Sequence, residues 1–193
     1  MNKTLEKINK GIKQCTKCRL YKTRTNAVPG EGPENSVIFF LGESPGKTED
    51  ISGKPFTGRS GKYLDKLLSE IGISRSEIYI TSSVKCRPPQ NRKPLPDELE
   101  ICKANWLVKQ ISILNPKLIV TLGKTALKQL TGREDNLLQC HGEISTEQGR
   151  KYLITFHPAS AMRFAKIGNP MKQDFKKLQL FLKKINNLSA KRG

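Results

Sequence analysis

The chain has 193 residues, with 35 Lys plus Arg against 17 Asp plus Glu, which leaves a formal charge of +18. Such a balance favours a polyanionic partner, above all nucleic acid, and the length suits one domain, residues 1–193, with a sizeable core. No apolar run reaches the length of a membrane span and Met1–Glu6 lacks the apolar stretch of a secretory signal, so a cytoplasmic protein without a membrane partner is expected.

Residues 3 to 14 predict a short basic helix that leads into Cys15 and Cys18, and residues 28 to 33, Val-Pro-Gly-Glu-Gly-Pro, read as a turn-rich connection. Ser36 to Leu41 is a continuous apolar run ending at Gly42, the pattern of a strand buried on both faces. Similar runs recur at Glu77 to Val84, Lys117 to Leu122 and Lys151 to Phe156, with helical patterns between them at Gly61 to Ile71, Pro96 to Leu114 and Lys124 to Leu130. Pro96-Asp97-Glu98 puts proline and acids in a first helical turn, where both are favoured. Phe175, Leu178, Leu182 and Ile185 recur at helical spacing in the tail from Lys172 to Arg192, which reads as a helix packed on its own domain. Alternating strands and helices imply an α/β fold with a parallel sheet covered on both faces. The carboxyl ends of such strands line one crevice, so Gly42-Glu43-Ser44-Pro45-Gly46, Thr81-Ser82-Ser83 and His157-Pro158-Ala159-Ser160 are expected to converge.

Five cysteines in a reducing compartment argue for metal binding or plain thiols rather than disulfides. Cys15-x-x-Cys18 lets one turn offer two thiolates to one centre, and soft thiolate sets select zinc or iron–sulfur. Cys86, held by Arg87-Pro88-Pro89, and Cys102, on a helix, complete a possible set of four, or else are small buried apolar residues. Cys140 and His141 read as structural or exposed. The segment Gly42 to Thr48 ends in Gly-Lys-Thr but has one residue too few between its glycines for a phosphate loop, and Glu43 would set a negative charge beside the phosphates. A better use of that loop presents backbone N–H groups to a base carbonyl and the Glu43 carboxylate to a cationic transition state or an attacking water. His157, at a strand end with Pro158 fixing the turn, is either a neutral donor to a departing heterocycle or a structural histidine.

Taken together, Cys15-x2-Cys18, Arg24 to Gly32, Gly42-Glu43-Ser44-Pro45-Gly46-x2-Glu49-Asp50, Pro55-Phe56-Thr57-Gly58, Val84-Lys85-Cys86-Arg87-Pro88-Pro89-x-Asn91-Arg92, Cys102 and His157 to Ser160 resemble the family-4 uracil-DNA glycosylases of archaea and many bacteria. The resemblance spans nearly the whole chain. It implies a three-layer α/β/α sandwich around a four-stranded parallel sheet, and a [4Fe–4S] cluster held by Cys15, Cys18, Cys86 and Cys102. It further implies that Gly42, Glu43 and Ser44 meet a flipped uracil and its attacking water, that Phe56 stacks on the base, and that His157 hydrogen-bonds a uracil carbonyl. The partner implied is uracil-containing DNA, single- or double-stranded, in a prokaryotic cell where the protein associates with the nucleoid through DNA binding; a monomer is the default expectation. By analogy with wedging side chains, Met162 and Arg163 are candidates for filling the gap left by the flipped nucleotide.

One position departs from the family pattern. Where the resemblance leads one to expect Asn before Val84-Lys85-Cys86, this chain has Ser82, and a hydroxyl has less reach than an amide that offers a donor and an acceptor together. Altered base selectivity is expected from it. Two other readings stay open: an iron–sulfur protein that binds damaged or single-stranded DNA with weak or altered excision, and a nucleic-acid-binding protein whose thiolates hold zinc.

Overall fold

The computed structural model describes residues 3–190; Met1 and Asn2, and residues 191–193 at the end of the expected tail helix, lie outside them. In chain order the elements are α1 (Lys3–Lys13), a 3-10 turn (Arg19–Lys22), β1 (Ile38–Gly42), α2 (Lys47–Ser52), α3 (Arg59–Glu70), β2 (Tyr79–Ser82), α4 (Pro96–Cys102), a π turn (Lys103–Leu107), α5 (Val108–Leu114) and β3 (Leu118–Leu122). Then come α6 (Lys124–Thr131), α7 (Leu137–Cys140), β4 (Ile144–Glu147), β5 (Arg150–Thr155), α8 (Pro158–Arg163) and α9 (Ala165–Ala190).

The five strands form one sheet in the order β2-β1-β3-β5-β4, and only β4 is antiparallel to its neighbour. Every residue of β1 and β3 is buried, as their largely apolar runs require. Successive side chains point to opposite faces. Ile38 and Phe40 of β1 join Leu64, Leu67 and Leu68 of α3 and Met171, Phe175 and Leu178 of α9 in one core. Phe39 and Leu41 join Leu5 of α1, Ile111 and Leu114 of α5 and Leu130 of α6 in the other. The result is the expected three-layer α/β/α arrangement. A third, smaller core gathers Ile12, Leu20, Ala27, Val84, Cys86 and Cys102, with Trp106 partly buried against it.

The sheet has one strand more than the four expected. Ile144-Ser145-Thr146-Glu147 is half-exposed and contains a single apolar residue, so it leaves no buried-strand run in the sequence. A two-residue turn sets its pairing: Gln148 and Gly149 both have positive φ (51° and 74°), the conformation that joins antiparallel strands tightly, between the paired residues Glu147 and Arg150. At the other edge the backbone of Glu31 exchanges two hydrogen bonds with Ile80 of β2, at 2.8 and 2.9 Å. The tail helix starts earlier than its pattern suggests, at Ala165, with Pro170 inside its early turns.

β1 sits between β2 and β3, so the chain leaves it in opposite directions. A crevice therefore opens beyond the carboxyl ends of β1 and β3. Among the described residues no helix is long and apolar enough to cross a membrane.

Candidate active site and metal centre

The crevice is a cleft of about 930 Å³ lined by residues that end or follow the four parallel strands, including Glu43, Ser44, Ser82, Thr125 and His157. Phe56 reaches it from the connection between α2 and α3. Of the residues singled out in the sequence, Glu43, Ser44, Phe56, Ser82 and His157 all line this cleft. Gly42 stands behind them: a Cβ at Gly42 would lie 2.6 Å from the Phe56 ring, so only glycine lets the ring lie against β1.

Phe56 is 6% exposed and holds a left-handed backbone (φ 52°), which is uncommon for a large side chain. Arg75 holds that turn by donating to the carbonyls of Pro55 and Phe56. The Glu49 carboxylate ties the turn to the loop after β1, accepting from Gly46 N–H at 3.0 Å and Gly58 N–H at 2.8 Å. The Phe56 ring then lies 5.9 Å from the His157 ring, tilted by 31°.

His157 caps the N-terminus of α8, and its Nδ1 accepts from the Ala159 N–H at 3.2 Å. That bond assigns the ring proton to Nε2, the other nitrogen. Burial pushes the His157 pKa below its ordinary value, although Glu43 and Glu49 pull the other way. The ring is thus a neutral Nε2–H donor. Glu43 follows β1, and one of its carboxylate oxygens accepts from the Thr125 hydroxyl at the start of α6. Ser82 ends β2 directly beside Gly42 in the sheet register, and its side chain is buried at the cleft wall.

Of the two wedge candidates, Arg163 lines the cleft and Met162 is not among its lining residues, although it is 40% exposed. Phe164, which sequence reading passed over, lines the cleft at 45% exposure with the Arg163 guanidinium 5.4 Å from its ring centre. Lys93, Lys124 and Lys166 also border the cleft and make it a cationic approach. Thr125 was missed as well; its one signal in the sequence is its place just beyond the third strand.

The second centre lies in the small third core. Cys15, Cys18, Cys86 and Cys102, from three separate segments, line one narrow pocket with Arg24, Lys85 and Trp106, and all four are free thiols. Each sulfur faces one N–H donor. The Trp106 indole donates to Cys15 at 3.2 Å and the Arg24 guanidinium to Cys86 at 3.0 Å. The backbone N–H groups of Leu20 and Lys85 serve Cys18 and Cys102. Burial pushes the Cys18 and Cys86 thiols up, and that of Cys102 up to about 12. Donors of this kind complement thiolate charge, and so fit a sulfur-ligated centre. Among the described residues no three His, Cys, Asp or Glu side chains converge on a point suited to a single ion.

The buried Lys85 joins the two centres. Its Nζ donates to Thr81 Oγ1 at 2.6 Å and to the Ser82 carbonyl at 2.8 Å, while the next residue is Cys86. Burial lowers its pKa to about 8 despite the neighbouring cysteines.

The family model for the uracil DNA glycosylase superfamily matches residues 29–183. The chain is 41% identical to a type-4 uracil-DNA glycosylase of Saccharolobus solfataricus, over 91% of this chain and 85% of that protein. It is also 41% identical to one from Thermotoga maritima, over 93% and 95%, and 38% identical to one from Archaeoglobus fulgidus, over 91% and 92%.

Proposed function

The chain belongs to the uracil DNA glycosylase superfamily, in its type-4 branch, and from that premise we propose that it excises uracil from DNA and leaves an abasic site. The observation that carries the mechanism is the meeting of an Nε2–H donor, His157, a carboxylate, Glu43, and a buried aromatic face, Phe56, in one cleft. A base cannot be reached inside the duplex, so it is everted at a cost of a few kcal/mol. Stacking on Phe56 and hydrogen bonds at the cleft wall offset that cost.

As the N-glycosidic bond breaks, its electron pair stays with uracil, and negative charge grows on the carbonyl oxygens. His157 donates Nε2–H to one of them, and the loop after Gly42 offers backbone N–H groups. Positive charge grows on the sugar, where Glu43 balances it and orients the water that attacks C1′. Arg163, with Met162 beside it on α8, follows the minor groove, and the lysines around the cleft contact phosphate.

Cys15, Cys18, Cys86 and Cys102 hold a [4Fe–4S] cluster in this reading, which the donor facing each sulfur supports. When bound, the cluster ties the segment after α1 to the Cys86 loop and to α4. The protein's own part is to bring three chain segments to one pocket and to keep water away from it.

The test is a panel of single- and double-stranded oligonucleotides carrying uracil, hypoxanthine or xanthine, with alkaline cleavage to reveal abasic product. Uracil excision is the expected result; salt-dependent binding without product would leave only a DNA-binding protein. Glu43→Gln lowers the single-turnover rate about 100-fold. Equal rates for the variant and the parent would remove the carboxylate from the mechanism.

Ser82 bears on selectivity. Its hydroxyl can donate or accept at a base edge, whereas an amide would fix both roles. Ser82→Asn therefore raises the preference for uracil over hypoxanthine and xanthine by about fivefold, the equivalent of one net hydrogen bond of ~1 kcal/mol. An unchanged ratio of kcat/KM values across the three bases would refute this.

A further inference from the structure

We propose that Thr125 is a positioning residue for the hydrolytic step, one that fixes the Glu43 carboxylate by a hydrogen bond to a single oxygen. The proposal rests on the reading of Glu43 given above. A glutamate side chain has several rotamers and two equivalent oxygens, and an unrestrained one presents its acceptor in many directions. Here the Thr125 hydroxyl occupies Oε2. No other hydrogen bond to that carboxylate occurs among the described residues. Oε1 has no protein donor among the described residues, and both residues line the cleft. The arrangement selects one oxygen for the attacking water.

The fold explains why Thr125 is in reach. β3 ends at Leu122, and Gly123 (φ 96°) turns the chain through a conformation that residues with side chains rarely adopt. Helix α6 then begins at Lys124, beside the end of β1, and the Gly123 N–H is held by the Thr155 carbonyl at 2.9 Å. A Cβ at Gly123 would lie 3.2 Å from the His157 Cβ. One turn thus abuts the histidine and aims the threonine at the carboxylate. Thr125 is partly exposed at the cleft, and its hydroxyl serves Glu43 rather than the helix it begins. A threonine placed only to fill space would need no acceptor across the crevice.

The experiment is single-turnover excision of uracil from an oligonucleotide by full-length, cluster-loaded protein, comparing Thr125→Val, Thr125→Ser, Glu43→Ala and the double variant Thr125→Val/Glu43→Ala. Valine keeps the shape and removes the donor. A lost hydrogen bond to a charged group corresponds to about tenfold in rate, so Thr125→Val falls by about tenfold with affinity for uracil DNA unchanged. Thr125→Ser recovers most of the rate, and adding Thr125→Val to Glu43→Ala produces no further loss. Thr125→Ala replaces the valine variant if the latter does not fold, as judged by its melting temperature. Parental rates for Thr125→Val beside a crippled Glu43→Ala would overturn the positioning role alone. An equal loss from Thr125→Val in both backgrounds would also overturn it. A fully active Glu43→Ala would instead overturn the reading of Glu43.

Discussion

His157→Ala slows single-turnover uracil excision by about 100- to 1,000-fold, the range seen when a preorganised donor to a developing oxyanion is removed. Affinity for uracil DNA changes little, because the donor matters most where charge has accumulated, in the transition state. A variant within tenfold of the parent would take the histidine out of the chemistry. Its protonation gives a second, independent check. The Nδ1 bond to Ala159 N–H leaves Nε2 as the donor, and burial lowers the pKa below the ordinary value of 6.5. The neutral ring therefore persists in the folded protein when a free histidine has begun to charge. In the unfolded chain the proton binds near pH 6.5. The stability that accompanies a neutral His157 is thus complete above that pH and is lost as pH falls below it, through the lower folded pKa. An NMR titration with a midpoint above 6.5 would contradict the buried, neutral donor.

Cys86→Ser or Cys102→Ser yields a colourless protein with a sharply lowered Tm, against a brown, iron-containing parent purified without oxygen. The core around these residues is small: six buried residues, two of them among the four pocket thiols, join the end of α1, the Arg19–Lys22 turn, the Cys86 loop and α4. Such a corner has little apolar burial of its own and depends on its ligand set. Loss of a metal centre is among the few single changes that remove ~4 kcal/mol or more. At about 2–4 °C per kcal/mol for a chain of this size, Tm falls by roughly 10 °C. Lys85 carries the damage toward the cleft, since its Nζ holds the Ser82 carbonyl. Zinc without iron in the parent would refute the cluster, and a serine variant with full iron and unchanged Tm would free that cysteine from the ligand set.

The parallel strands were legible because burial on both faces writes a nearly continuous apolar run, as in Val37 to Leu41 and, broken only by Thr121, Leu118 to Leu122. β4 was not, because its pairing is set by the Gln148-Gly149 turn while its side chains stay half-exposed. Glu43, Ser82 and His157 could be gathered in advance, since strand ends of a parallel sheet face one crevice, whereas Phe56, between α2 and α3, was reached only through the family resemblance. The parts that tune them could not. Trp106 and Cys15 are 91 positions apart, and Thr125 and Glu43 are 82 apart. A single hydrogen bond between residues so distant leaves no period or composition for a reader to find. The short helix α8 was likewise hidden in what reads as a polar loop, although Pro158 after a capping residue is the usual mark of a helix start.

A charge of +18 favours a polyanionic polymer as partner, and copies of a chain bound along such a polymer come close together. Neighbours forced together along DNA can exchange backbone ladders wherever an edge is open. Here one rim is stitched by Glu31 to Ile80, and the other is a four-residue strand flanked by the Arg133 ion pairs to Glu143 and Glu147. Neither rim offers a long open ladder, so crowded molecules have little backbone through which to pair and each remains free to separate.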